Sequence, residues 1–364
     1  MTVFQELEWI EAASLIMCLR QKAITAEKLS EYLNARNVSQ LQEILRKRGS
    51  STLLSAFNIN THDMAVAKGK ISRARDKGLC VTTIADEVYP KALLRISDPP
   101  FVIYSQGDIG RLNDVPCVSI VGSRKADPVA CEFAADLGRE LASLGVCVVS
   151  GLALGIDGAS HQGALEAKVS GSTCAVLGNG LPKIYPSRHA TLGARIIDNE
   201  GVVLSQFDPI TPAYPANFLN RNRLIAGLSR ATVVIQAGAR SGSLVTARYA
   251  AEAGREVLVT PGEIYSDRYA GSHSLLRQGA VLVSGVDDVL EELGIERKEF
   301  SPQEDAQSAK HHEILKSLRI REPIEIDSLK YSVESVGNFE MSLLELELEG
   351  VVRMLPGGRI ERVR

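Results

Sequence analysis

The chain has no CxxC pair, no long apolar run, no internal repeat with a period of 20–50 residues and no marked net charge. Its six cysteines, Cys18, Cys80, Cys117, Cys131, Cys147 and Cys174, stand singly, several of them in apolar strand-like runs. That pattern argues for buried free thiols in a reducing compartment, against zinc ligands or disulfides. The apolar segment 10–19 is too short and too polar at its start to cross a bilayer, and the N-terminus is acidic where a leader peptide is basic. The expectation is a soluble, cytoplasmic protein with no membrane contact. A net charge of −3 gives no whole-molecule field that draws nucleic acid, so any basic surface has to be local. Two nucleotide signatures are missing as well. No Gly-x-Gly-x-x-Gly follows the first strand of the main domain, and the second strand ends in Ser150-Gly151 where a ribose-binding acid belongs. No Gly-x-x-x-x-Gly-Lys-Ser/Thr occurs either. Dinucleotide and P-loop nucleotide readings both fail, and no cofactor or metal is expected.

What is present is an ordered alternation. A chain of 364 residues suggests two or three domains. Residues 1–76 read as a small helical domain, with apolar faces at Trp9, Ile10, Ala13, Leu15, Ile16, Met17 and Leu19, then at Leu29, Tyr32 and Leu33 behind a Thr25 cap. A third run, Leu41, Ile44 and Leu45, ends at Gly49. Short strands at 81–84 and 101–104 flank a proline-marked connection. Strand-length apolar runs follow at 117–121, 146–149, 173–177, 202–204, 232–235, 256–259 and 280–283. Helical segments separate them at 129–144, 158–167, 190–198, 218–228, 243–253 and 273–277. Continuous apolar strands alternating with helices predict an α/β fold: an extended, Rossmann-like, doubly wound parallel sheet over residues 77–296. Residues 297–308 form a polar linker, and 309–364 read as helices followed by a hairpin through Pro356-Gly357-Gly358, a winged-helix module.

In such a sheet, ligands sit beyond the carboxyl ends of the strands. The loops placed there are Gly122-Ser123-Arg124-Lys125, 150–157 beginning Ser150-Gly151, Gly178-Asn179-Gly180, 238–243 ending Ser241-Gly242-Ser243, and Pro261-Gly262. Glycine lets a backbone approach phosphate, serine and free N–H groups donate to it, and arginine forks onto its oxygens. Any one such loop need only be a tight turn. Four on one edge, several with Arg or Lys, point to a polyanion site. The most informative stretch is 218–248, where Phe218, Arg221, Asn222 and Arg223 open one helix and 241–243 opens the next, with Thr246 in its first turns. Phe218 reads either as a core aromatic or as a stacking platform beside arginines, the pairing single-stranded nucleic acid uses.

Catalytic candidates are thin. Asp157 and His161 lie four apart at a helix start and read as a cap with a structural histidine; His273 and His311-His312 read as surface or packing residues. Gln206 and Gln236 at strand ends cannot act as general bases. The crevice looks built to hold a ligand rather than cut one.

The motifs Ser119-Ile120-Val121-Gly122-Ser123-Arg124, Ser150-Gly151-Leu152-Ala153-Leu154-Gly155-Ile156-Asp157 with His161, Leu177-Gly178-Asn179-Gly180-Leu181 with Tyr185-Pro186, Phe218 with Arg221-Asn222-Arg223, and Ser241-Gly242-Ser243-Leu244-Val245-Thr246-Ala247 resemble the DNA-processing protein A (DprA/Smf) family. The resemblance implies a sterile-alpha-motif-like N-terminal domain, the extended Rossmann core and the winged helix. It also implies a non-enzymatic, single-stranded DNA-binding recombination mediator that protects and anneals incoming strands and loads RecA recombinase during natural transformation. The residues it matches to the family's DNA-backbone pocket are Ser123, Arg124, Phe218, Arg221, Asn222, Arg223, Ser241, Gly242 and Ser243, and the strand-end loops and helix start add Gly122, Lys125, Ser150, Gly151, Gly180 and Thr246 as DNA-binding candidates. It further implies a homodimer, with His273, Leu275, Leu276, Val281 and Leu282 as interface candidates. Gln206 and Gln236 depart from the family's usual glutamates, and Asn220 from its usual proline or basic residue.

The third helix of the winged module, expected at 339–349, carries Glu340, Glu345, Glu347 and Glu349 and no base. That charge is repelled by a phosphate-lined groove and predicts a protein-contacting or structural role, not duplex reading. Two competitors stand beside the mediator: a phosphoribohydrolase-like enzyme on the same scaffold, and a scaffold with a vestigial core.

Overall fold

The computed structural model describes residues 3–22, 24–25, 27–29, 50–295, 314–315, 317–318, 322–333, 338–348 and 350–362. The chain divides into two compact units, Met1–Glu296 and Arg297–Arg364. In the first unit, helices α1 (Val3–Gln21), α2 (Ser50–Ala56) and α3 (Thr61–Asp76) come first. Asn60 caps α3 reciprocally with Asp63, and the Thr25 hydroxyl accepts from the Lys28 N–H, the cap its sequence predicts. The expected apolar groups at Tyr32, Leu33, Leu41, Ile44 and Leu45 lie outside the described residues.

The body of this unit is one nine-stranded sheet. Its strands are β1 (Cys80–Thr83), β2 (Val102–Gln106), β3 (Cys117–Gly122), β4 (Cys147–Ser150), β5 (Thr173–Val176), β6 (Val202–Ser205), β7 (Ala231–Ile235), β8 (Glu256–Val259) and β9 (Val281–Leu282). Their order is β1-β2-β6-β5-β4-β3-β7-β8-β9. The seven strands from β3 onward are mutually parallel, whereas β1 and β2 extend the sheet past β6 as an antiparallel edge.

Helices α4 (Pro128–Ser143), α5 (Ile156–Glu166), α6 (Ala190–Asp198), α7 (Pro215–Leu228), α8 (Gly242–Glu252) and α9 (Ala270–Arg277) connect the strands, and α10 (Val286–Leu293) follows the last of them. Alternate residues of β3 serve opposite faces of the sheet. Val118 and Ile120 pack with Leu137 and Leu141 of α4 and Val289 of α10, while Val121 joins Leu224 and Ile225 of α7 on the other side. Helices therefore cover both faces, the doubly wound arrangement the alternation predicts. That second core also takes in Leu15, Ile16 and Leu19 of α1 and Ile71 of α3, so the N-terminal helices share it.

The strand order reverses between β3 and β7, which open a crevice at their carboxyl ends. Cys117, Cys147 and Cys174 are buried free thiols in neighbouring strands, as their apolar runs predict. No described helix is long and apolar enough to cross a membrane.

The second unit holds β10 (Ile324–Glu325), α11 (Ile326–Ser332), α12 (Phe339–Leu348), β11 (Val352–Leu355) and β12 (Arg359–Arg362). Its antiparallel sheet has the order β10-β12-β11, closed by the predicted hairpin. Phe339, Leu343 and Leu346 bury the inner face of α12 against Val352 and Ile360.

Candidate nucleic-acid interface

A cleft of about 580 Å³ opens at the switch point. Of the residues expected to meet a ligand, Gly122, Ser123, Arg124, Lys125, Phe218, Arg221, Asn222, Ser241, Gly242, Ser243 and Thr246 all line it, joined by Asp157, Leu219, Gly238 and Arg240. Gly151 lines a smaller adjoining hollow with Arg124, Leu154, Tyr185 and Phe218. The loop after β3, the start of α7 and the start of α8 thus converge, although more than a hundred residues separate the first from the last.

Phe218 organises the cleft. It sits one turn into α7, half-buried, with the Arg124 guanidinium 5.7 Å and the Arg221 guanidinium 5.9 Å from its ring centre. The exposed Tyr185 ring lies 5.4 Å away, tilted by 39° against it. Its seat depends on Gly178: a Cβ there would fall 2.6 Å from the Phe218 ring. The two arginines differ. Arg124 is exposed at the rim, beside Lys125. Arg221 is buried and donates to the carbonyl oxygens of Gly151 at 2.8 Å and of Val176, tying the loop after β4 to the end of β5. Burial lowers its pKa to about 10, against the opposing charge of Asp157. It remains a cation at neutral pH, with the Phe218 ring above it.

Asp157 accepts from the N–H groups of Gly151 and Ala153 at 3.1 and 3.4 Å and so braces the 151–155 loop. Burial raises its carboxyl pKa, with Arg221 the first opposing influence. The cap at this helix start is Gly155, not Asp157. His161 is fully buried, shares a 2.7 Å hydrogen bond with the Thr173 hydroxyl, and is driven to about pKa 3 chiefly by burial. Both therefore serve the loop and the core. At α8 the Ser241 hydroxyl caps the helix through the Ser243 N–H and shares a 2.7 Å contact with the Ser243 hydroxyl. Gly242 between them is exposed, with no heavy atom within 4 Å of where a Cβ would stand. Among the described residues no group of three or more His, Cys, Asp or Glu could hold a metal ion.

Three expected residues stand elsewhere. Arg223 lies two positions past Arg221, roughly 200° around the helix, on the opposite face. It is buried there, donating to the Asp98 carbonyl, to Gln206 Oε1 at 2.6 Å and to Asn220 Oδ1 at 3.0 Å, and pairing with the Asp98 carboxylate at 3.5 Å. Burial lowers its pKa, and Asp98 opposes this. The Ser150 hydroxyl is turned into the sheet, donating to the Ile120 carbonyl at 2.6 Å. Gly180 is buried with the Asp208 carbonyl 2.1 Å from its Cβ position, a close approach that only glycine allows. Neither amide at the family's glutamate positions is idle: Gln206 holds Arg223, and Gln236 accepts from the Asp127 N–H at 2.9 Å.

Of the interface candidates, His273 stacks on Tyr269 and meets the Gly262 carbonyl at 3.2 Å. Leu275 and Leu276 are half-buried against the core, Val281 is half-buried on edge strand β9, and Leu282 is 51% exposed. Tyr185 and Arg240 are the site residues that sequence reasoning left without a role. Arg240 was visible in the loop after β7, whereas Tyr185 arrives from the long connection between β5 and α6.

Fold and cleft together define the class: a doubly wound, Rossmann-like α/β protein with a cationic, glycine-lined crevice and an aromatic ring at its switch point. Within that class, the chain belongs to the DNA recombination-mediator protein A family, whose profile matches residues 80–294. It is 37% identical over 284 residues to Protein Smf of Escherichia coli, covering 75% of each chain. It is 36% identical over 219 residues to DNA processing protein DprA of Bacillus subtilis, covering 60% of this chain and 73% of the relative. Among solved structures, DNA processing protein A of Streptococcus pneumoniae superposes with a TM-score of 0.61 at 30% identity, covering 79% of this chain and 97% of that one. A structure of the Helicobacter pylori protein, described for its single-stranded DNA binding mode, superposes with a TM-score of 0.53 at 30% identity, covering 59% and 95%.

Proposed function

We propose that this chain is a DNA recombination mediator that holds single-stranded DNA in the switch-point cleft. The observation that carries the reading is the Phe218 ring flanked by the Arg124 and Arg221 guanidiniums. A ring offers a base a stacking surface, and adjacent cations neutralise the phosphates on either side of it. Arg124, Lys125 and Arg240 supply exposed charge at the rim, and the N-terminus of α8 supplies backbone and hydroxyl donors through Ser241, Gly242 and Ser243. Several relatives, the Bacillus subtilis protein among them, are named as DNA processing proteins, and one related structure concerns single-stranded DNA, which supports the same ligand.

The finer parts of the reading go further. The protein acts without catalysis, in the cytoplasm, as a homodimer that pairs through the β9 edge around Leu282, promotes annealing and hands the bound strand to RecA recombinase. Asp157 braces the 151–155 loop through its backbone N–H groups, and His161 is fully buried on the Thr173 hydroxyl, away from the cleft lining, which supports holding over cutting. The test is fluorescence anisotropy with a labelled single strand and its duplex across a salt series, on wild type and Arg124→Glu. The single strand is expected to bind tighter, with log affinity falling linearly against log salt, and Arg124→Glu to be folded but weak. Equal affinity for duplex and single strand, or binding insensitive to salt, overturns the proposal.

A further inference from the structure

A second cavity, of about 230 Å³, opens at the other end of the same central strands. Its walls are the short helical turn Lys91–Arg95, the residues around Asn113, the end of α7 with Arg230, and Arg255 at the entrance to β8. Cys117 and Arg230, at or beside the first residues of β3 and β7, mark this as the amino-terminal edge, a full strand length from the cleft.

Four cations line the cavity, Lys91, Arg95, Arg230 and Arg255, and no carboxylate does. Among the described residues none of the four has a carboxylate within 4.0 Å. Arg255 is the fixed member. It reaches the carbonyl oxygens of Ala92 and Gly227 through one terminal nitrogen, at 3.3 and 3.4 Å, while its Nε is buried with no partner. The nearby charges of Arg95 and Arg230 add to burial in lowering its pKa. The wall is built rather than incidental. Asn113 accepts from the Lys91 N–H at 2.7 Å and donates to the Tyr89 carbonyl, fixing the turn that carries Lys91 and Arg95.

Cations near the end of a helix also complement its dipole, and α7 ends at this cavity. That dipole amounts to about half a negative charge. One arginine on the Gly227 carbonyl satisfies it, which leaves three cations gathered around a concavity with no counter-charge. Like charges are held together at such a cost where an anion joins them.

We propose that this cavity is a second anion site, taking the phosphate of a phosphorylated ligand at the amino-terminal edge of the sheet. The volume suits a phosphate with the first atoms attached to it. The ligand is either a free phosphorylated small molecule or a segment of nucleic-acid backbone, and the recognition chemistry is the same for both. The inference does not rest on the strand reading of the cleft.

The experiment titrates the full-length chain with inorganic pyrophosphate, by calorimetry, and with a short oligothymidylate, by anisotropy. Variants are Lys91→Glu/Arg230→Glu, whose side chains are exposed, Arg255→Gln, and the cleft variant Arg124→Glu. Pyrophosphate binding is expected to weaken about tenfold or more in both cavity variants and to persist in Arg124→Glu, since each removed phosphate contact is lost at one site only. If the cavity variants lose pyrophosphate alone, the source is a small molecule. If their oligothymidylate binding also falls, and its salt slope flattens further when Arg124→Glu is added, the source is a strand. Cavity variants that keep circular-dichroism spectra and melting temperature and bind both probes as wild type does overturn the proposal. Should Lys91→Glu/Arg230→Glu unfold, Arg255→Gln and charge-neutral Lys91→Gln/Arg230→Gln carry the same comparison.

Discussion

Replacing Phe218 with alanine separates stacking from charge. The ring is half-buried, lies within 6 Å of two guanidinium centres, and shares an aromatic contact with Tyr185. It carries no charge, so its removal takes away a base-stacking surface and leaves every cation in place. Stacking of a base on an aromatic side chain is worth about 1–3 kcal/mol, which sets a loss of about 5- to 150-fold in single-strand affinity. The slope of log affinity against log salt reports phosphate contacts, at about 0.7 per contact for a single strand, and should not change. Phe218→Ala is therefore expected to displace the salt line downward in parallel. Arg124→Ala is expected to flatten it by about 0.7. Half-burial sets the stability loss of Phe218→Ala at about 1–3 kcal/mol, read by urea unfolding, so the variant remains folded for the binding assay. An unchanged affinity, or a slope change matching that of Arg124→Ala, refutes the assignment of the ring as a stacking platform.

Four further outcomes follow from the same geometry. Gly178→Ala forces the Phe218 ring out of its seat and should lower strand affinity towards that of Phe218→Ala in the same anisotropy assay. Arg221→Gln strips donors from the Gly151 and Val176 carbonyls and the main opposing charge from Asp157, and should cost about 2–4 kcal/mol in urea unfolding. Arg223→Gln should destabilise by a similar amount, about 2–4 kcal/mol, and leave the salt slope of the folded protein unchanged, because its charge is spent on Asp98 and Gln206. His161 is neutral in the fold with a pKa of about 3 against 6.5 when free, so the unfolded chain binds the extra proton between those values. Stability should accordingly fall by a few kcal/mol as pH drops through that window, and His161→Gln should flatten the curve measured by thermal melts.

The sheet was legible because parallel strands buried on both faces are continuous apolar runs, and these punctuate the sequence sharply. Strand β8 and helix α6 fall where the period places them. The antiparallel attachment of β1 and β2 was not legible, since nothing in two short apolar runs fixes the direction of their partner. Helix α10 was overlooked although its signal is present: the Asp288 carboxylate accepts from the N–H groups of Ser284 and Gly285. The cleft was read almost in full from its loops, because ligands gather at strand carboxyl ends whatever the side chains. Arg223 shows the limit of reading a motif as a block. Arg221-Asn222-Arg223 looks like one basic patch, yet residues two apart point to opposite sides of a helix, and only one of the two reaches the cleft. Tyr185 stands in the sequence as part of a motif without a role, and its place beside Phe218 shows only in three dimensions, since its ring meets Phe218 from a separate loop.

Ultraviolet cross-linking of the full-length chain to a single-stranded oligonucleotide, followed by mass-spectrometric mapping of the attached peptide, addresses the site without any substitution. The cleft reading predicts attachment at Phe218 or Tyr185, abolished by unlabelled single strand and little affected by duplex. Attachment confined to the C-terminal unit, with none on the loops after β3, β5 and β7 or at the start of α7, contradicts it.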